Sequence, residues 1–192
     1  MELKKQIQEA IKLKNLLLED PELFRKLESC IQKIIDCYQK EGKVLFCGNG
    51  GSAADAQHLA AELSGRYYLD RPPLNAEALH VNSSFITAMA NDYSFEKVYE
   101  RMVYALGKKG DILMAFSTSG NSPNIINALQ AAKTLGMITI GFTGESGGKM
   151  PPLCDILFKM PSTDTPRIQE AHILLGHIMC ENVESSLFSD IK

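Results

Sequence analysis

Twice along this chain a short apolar run breaks into small polar residues and resumes as a helix-forming stretch. The first is VLFCGNGGSAADA from Val44, the second ILMAFSTSGNSPNII from Ile112. A strand followed by a small-residue loop and a helix is the unit from which parallel sheets are built. Val44–Cys47, Ile112–Phe116, Met137–Phe142 and Ile156–Met160 read as strands, with Ala76–Val81 a weaker fifth. Alternation of these runs with helical stretches predicts an α/β fold with a parallel sheet covered by helices on both faces. In such sheets ligands bind beyond the carboxyl ends of the strands, where both loops would lie.

The first 40 residues lack that alternation. Leu23, Phe24, Leu27, Cys30, Ile31, Ile34, Ile35 and Tyr38 recur at helical spacing behind Asp20-Pro21, a capping residue and a first-turn proline. Ile7, Ala10, Ile11 and Leu18 form a second stripe ahead of them. Two helices therefore precede the first strand, and their apolar faces suit either their own domain or a neighbouring copy. No linker or low-complexity tract divides the 192 residues, so residues 1–192 read as one domain.

At 45% hydrophobic, 22% charged and a net charge of −3, the chain has the composition of a globular protein and no basic surface for nucleic acid. No apolar run approaches a membrane span, and the N-terminus lacks the features of a signal peptide. Cys30, Cys37, Cys47, Cys154 and Cys180 are odd in number and contain no CxxC pair, which suits reduced structural thiols in the cytosol.

The loops define the ligand. Ser117, Thr118, Ser119 and Ser122 place four hydroxyls within six residues, directly before Pro123 at a helix start. Amides and the dipole at a helix N-terminus favour an anion, and the hydroxyls add donors, so a phosphate monoester fits. Ser122 is positioned to cap that helix. Neither loop has the spacing of a nucleoside-triphosphate or dinucleotide cradle. Beyond the first loop, His58 and Glu62 are four residues apart and share a helix face, a pair suited to acid–base or metal chemistry. His177 sits among the apolar residues of the last helix, where spacing alone favours a core histidine. Gln169 and His177 are separated by eight residues, about 12 Å of straight helix, so one metal ion does not reach both unless the helix bends or two copies contribute.

CGNGGSAADAQHLAAELSGRY, AMANDYSFEKVY, STSGNSPNIINAL, TGESGGKM and RIQEAHILLGHIMCENVE together resemble the bacterial phosphoheptose isomerases, a family of sugar-isomerase (SIS) domains. The resemblance spans nearly the whole chain. It implies a three-layer sandwich around a flavodoxin-like sheet, and a homotetramer with active sites at subunit interfaces. It also implies conversion of sedoheptulose 7-phosphate to D-glycero-D-manno-heptose 7-phosphate, the entry to the heptoses of lipopolysaccharide. Glu62 and His177 match the catalytic pair. His58, Glu62, Gln169 and His177 match the ligands of a zinc ion. Asn49, Gly50, Gly51, Ser52, Glu62, Asn91, Asp92, Ser117, Thr118, Ser119, Ser122 and Gln169 match the substrate contacts. Non-catalytic SIS relatives that bind a replication initiator are altered at the positions of Glu62, His177 and Ser119, which this chain retains. Pro166, before Arg167, departs from the pattern.

Overall fold

The computed structural model describes residues 2–191. Helices α1 (Leu3–Leu18) and α2 (Pro21–Gln39) lead into β1 (Val44–Cys47) and α3 (Gly51–Ser64). Then come β2 (Ala76–Ala78), α4 (Ser83–Asp92), α5 (Val98–Leu106), β3 (Ile112–Phe116), α6 (Pro123–Leu135), β4 (Ile138–Thr143), β5 (Ile156–Lys159) and α7 (Thr165–Leu187). The five strands lie in the order β2-β1-β3-β4-β5, and every pairing is parallel. This is the flavodoxin-like order, whose switch point falls between β1 and β3.

Strand alternation divides the core into two layers. Val44 and Phe46 of β1 and Ile112, Met114 and Phe116 of β3 face one apolar cluster, shared with α2, α3 and α7. Leu45, Cys47, Leu113 and Ala115 face the other, with α5 and α6. Burial on both faces is why these runs are continuously apolar. Phe116, Phe142 and Phe158 are in-register partners on three adjacent strands, stacked at centroid separations of 4.4 and 5.0 Å.

The helix boundaries follow local chemistry. Asp20 accepts from the backbone N–H groups of Glu22 and Leu23 at 2.9 and 3.2 Å, ahead of Pro21. Helix α6 stops at Gly136, whose φ of +71° suits glycine, with Met137 N–H returning to the Ala132 carbonyl. Three strand bounds shift: the weak strand, on a sheet edge, shortens to Ala76–Ala78, the one expected at Met137–Phe142 begins and ends one residue later, and the last ends at Lys159, one residue short of Met160. Helix α2 is docked, burying Leu23, Leu27, Cys30, Ile34, Ile35 and Cys37, whereas α1 buries only Leu13 and Leu17. All five cysteines are free thiols. Among the described residues no helix is long and apolar enough to cross a membrane.

Candidate active site

Both small-residue loops emerge at the β1/β3 switch point. The first turns through Gly50, with φ of +56°, into α3. Gly48 cannot carry a side chain, since a Cβ there would lie 2.3 Å from the Ser52 carbonyl oxygen. Tyr99 anchors the loop from α5 by donating its hydroxyl to the Gly48 carbonyl. Asn49 and Asn124, the latter buried at the start of α6, exchange side-chain amide bonds of 2.9 and 2.8 Å. This reciprocal pair locks the first loop to the second. Asn124 was not among the residues that the sequence singled out; its signal was an amide directly after Ser122-Pro123, at the first turn of the helix.

Ser122 stands at the N-cap of α6 but makes no capping bond. Its Oγ instead lies 3.1 Å from Ser117 Oγ, so the two hydroxyls are grouped in the loop. Ser119 Oγ accepts from the Asn121 N–H. The TGESGGKM segment backs this loop: Lys149 N–H donates to the Gly120 carbonyl, Gly144 N–H to that of Thr118, and a Cβ on Gly148 would strike the Ser119 carbonyl at 2.5 Å. Thr118, Ser119, Ser146, Ser162 and Thr163 line an adjacent cleft of about 250 Å³. Gln169, on the first turns of α7, lies against the same region: a Cβ on Gly51 would fall 2.5 Å from its Nε2.

Helices α3 and α7 run side by side in the same direction. Gly51 meets Gln169 at one level, and Leu59 meets Gly176 about two turns further on, where a Cβ would sit 2.4 Å from Leu59 Cδ1. Beside Gly176 the two helices bring three side chains together. His58 Nε2 lies 2.9 Å from His177 Nε2 and 3.2 Å from Glu62 Oε1. The three donor atoms all fall within 4.8 Å of one another. His177 is thus half-buried against His58 and Glu62 and not the core histidine that its apolar neighbours suggest. The core histidine is His172, fully buried against Phe116 and Phe142, with Nε2 3.2 Å from the Thr143 carbonyl and its pKa lowered by burial to about 4.

Asp55 shares the α3 stripe of His58 and Glu62. Its Oδ2 is buried without a hydrogen-bond partner among the described residues, and burial pushes its carboxyl up to about 6, with His58 pulling the other way. Tyr67 flanks the cluster, its ring centroid 6.0 Å from that of His177. Neither was singled out from sequence.

Gln169 does not join the cluster of its own chain. Helix α7 is unbroken, so the eight residues to His177 hold the two side chains about 12 Å apart along its axis. Asn91 and Asp92, at the end of α4, are exposed and hydrogen-bonded to each other at 2.9 Å; no hydrogen bond among the described residues links them to the serine loop.

The donor set fits a small divalent ion. Bonds of about 2.0–2.1 Å in a tetrahedral site separate ligand atoms by about 3.3 Å, near the 2.9 and 3.2 Å from His58 Nε2 to the other two donors. Two facing imidazole nitrogens and a carboxylate oxygen are also the mixed set that zinc accepts.

The chain has a five-stranded parallel sheet with a hydroxyl-rich loop at its switch point, and residues 11–144 match the SIS domain family. A phosphoheptose isomerase of Aneurinibacillus thermoaerophilus is 50% identical over 186 residues, covering 97% of this chain and 94% of that protein. The solved phosphoheptose isomerase of Neisseria gonorrhoeae superposes with a TM-score of 0.89 at 41% identity, over 95% of this chain and 97% of the other. That of Francisella tularensis gives 0.91 at 34%, over 96% and 97%. The chain belongs to the phosphoheptose isomerase family.

Proposed function

We propose that the chain, working as one domain, interconverts sedoheptulose 7-phosphate and D-glycero-D-manno-heptose 7-phosphate through an enediol. The convergence of His58, Glu62 and His177 beside a serine-rich anion loop is the observation that carries this reading. The hydroxyls of Ser117, Thr118, Ser119 and Ser122 hold the phosphate, aided by amides at the start of α6. Asn49, Gly50, Gly51, Ser52, Asn91, Asp92 and Gln169 orient the sugar chain.

Aldose–ketose exchange moves one proton between neighbouring carbons. Glu62 removes a proton from C1 of the ketose while His177 protonates the C2 oxygen, giving the enediol. Return of a proton to C2, with loss of the O1 proton, yields the aldose. His58, Glu62 and His177 would hold a zinc ion, which supplies Lewis acidity toward the carbonyl and hydroxyl oxygens when bound. Glu62 Oε1 faces His58, which leaves the second carboxylate oxygen for proton transfer.

A complete site draws on two copies of the chain. Gln169 as a fourth ligand must come from a neighbour, because its own helix holds it two turns from His177. Helix α4, which carries Asn91 and Asp92, has no buried residue, and α1 exposes Ile7 and Ile11. Both faces suit a homotetramer with sites at its interfaces. The product is an aldose phosphate for cytoplasmic synthesis of lipopolysaccharide or surface heptoses, and five free thiols, four of them buried, agree with a reducing compartment.

The test is incubation of the purified protein with sedoheptulose 7-phosphate, with and without a chelator. Aldose product that a chelator removes and zinc restores is expected. No product under either condition overturns the assignment. Glu62→Gln should lose at least about a thousandfold in kcat with little change in thermal stability or phosphate binding; wild-type turnover in that variant would refute the mechanism.

A further inference from the structure

Beneath the donor cluster lies an ion pair that the proposed reaction does not use. Arg71 and Glu184 are paired at 2.9 Å, with side-chain exposures of 0% and 2%. Burying both charges is expensive, and a well-packed apolar pair of similar volume often stabilises a fold as well. Something other than stability must be sought in where the two groups reach.

Arg71 reaches the end of the helix that carries Glu62. Its Nη2 donates to the carbonyl of Glu62 itself at 2.9 Å, and its Nη1 to those of Leu63, Gly65 and Pro72 at 2.7, 3.2 and 3.1 Å. These include carbonyls that a helix C-terminus leaves unpaired, where a cation is favoured. Glu184 belongs to the helix that carries His177, seven residues further on and therefore on nearly the same face. Besides Arg71 it accepts three consecutive amides, from Tyr67, Tyr68 and Leu69, at 2.9, 2.6 and 2.9 Å. The last turn of α3, the segment after it and the α7 helix thus meet at one saturated pair of charges. That pair also holds Tyr67 with its ring beside His177.

We propose that Arg71 and Glu184 are positioning residues for the active site: their buried pair sets the spacing between α3 and α7 at which His58, Glu62 and His177 converge. The inference rests on the metal-binding reading of that cluster. The chemistry gives it a direction. Metal ligation tolerates displacements of only a few tenths of an ångström, so loosening the clamp weakens binding before it unfolds the chain.

The test compares Arg71→Lys and Glu184→Gln with Val103→Ala, a core truncation in α5 on the opposite face of the sheet. Metal-free protein is titrated with Co²⁺, followed by visible absorption and calorimetry, and thermal midpoints and kcat and KM are recorded beside it. Both clamp variants should bind Co²⁺ about 10- to 100-fold more weakly, with an altered absorption spectrum and a loss mainly in kcat. Val103→Ala should lose stability and keep wild-type Co²⁺ affinity. Should Glu184→Gln fail to fold, Arg71→Lys, which keeps the charge beside Glu184, carries the comparison. Wild-type Co²⁺ affinity in a folded clamp variant overturns the positioning role, as does an equal loss in Val103→Ala. A wild-type chain that binds no Co²⁺ overturns the metal reading and this inference with it.

Discussion

Gly51 and Gly176 both lie where α3 and α7 approach each other, and they report different things. A methyl group on Gly51 meets only the movable end of Gln169, at 2.5 Å from Nε2. Gly51→Ala should therefore leave the unfolding midpoint nearly unchanged and displace the amide, raising KM for the sugar phosphate by roughly tenfold. Steady-state kinetics beside a thermal melt checks this. A methyl on Gly176 instead meets Leu59, which is buried in the core, at 2.4 Å. Gly176→Ala should cost about 1–3 kcal/mol by overpacking, measured by urea unfolding, and should weaken metal binding as the helices part. Neither contact is legible in sequence, because each glycine touches a residue more than a hundred positions away. His58 and Glu62 were legible: four residues on a helix is a local relation.

At the scale of the element, α7 carries most of what the sequence left ambiguous. His172 and His177 lie five residues apart on one helix, with apolar neighbours on both sides. Packing assigns them opposite roles, since His172 faces the stacked phenylalanines and His177 faces His58 across α3. Burial lowers the His172 pKa from 6.5 to about 4, so the folded chain holds it neutral where the unfolded chain binds a proton. Its contribution is fully present above pH 6.5 and is lost as pH falls through the window from 6.5 to about 4, by up to about 3 kcal/mol. Urea unfolding at pH 7.5, 5.5 and 4.5 should show a steeper acid loss in the wild type than in His172→Gln. Equal slopes in the two would refute it. The phenylalanine stack is likewise an element-level device, and Phe142→Ala should cost about 3–5 kcal/mol by opening a cavity between three strands.

For the whole molecule, the faces left uncovered matter most. Ile7 and Ile11 are 63% and 52% exposed on a helix that buries only two of its residues. In an isolated chain Ile7→Glu with Ile11→Glu should change stability by less than about 1 kcal/mol. If α1 is an assembly face, the same double variant should shift the mass seen by light scattering to smaller species. Activity should fall with it, because the proposed site needs a second copy. A variant that retains wild-type mass and turnover would remove α1 from the assembly.

Local pattern determined much of this protein. Strand–loop–helix units predicted the parallel sheet, and Asp20-Pro21 and Pro123 marked the starts of α2 and α6. These readings succeed because helix and strand periods, caps and turns depend on residues within a few positions of one another. Tertiary structure decided the rest: that His177 and not His172 completes the cluster, that Ser122 joins Ser117 instead of capping its helix, and that Asn124 locks the two loops. It also left α7 unbroken, so that the two-turn separation of Gln169 and His177 given by their spacing stands. The histidine outcome depends on which faces of α3 and α7 meet, and the Asn124 lock on how the loops after β1 and β3 meet, contacts that local spacing does not encode.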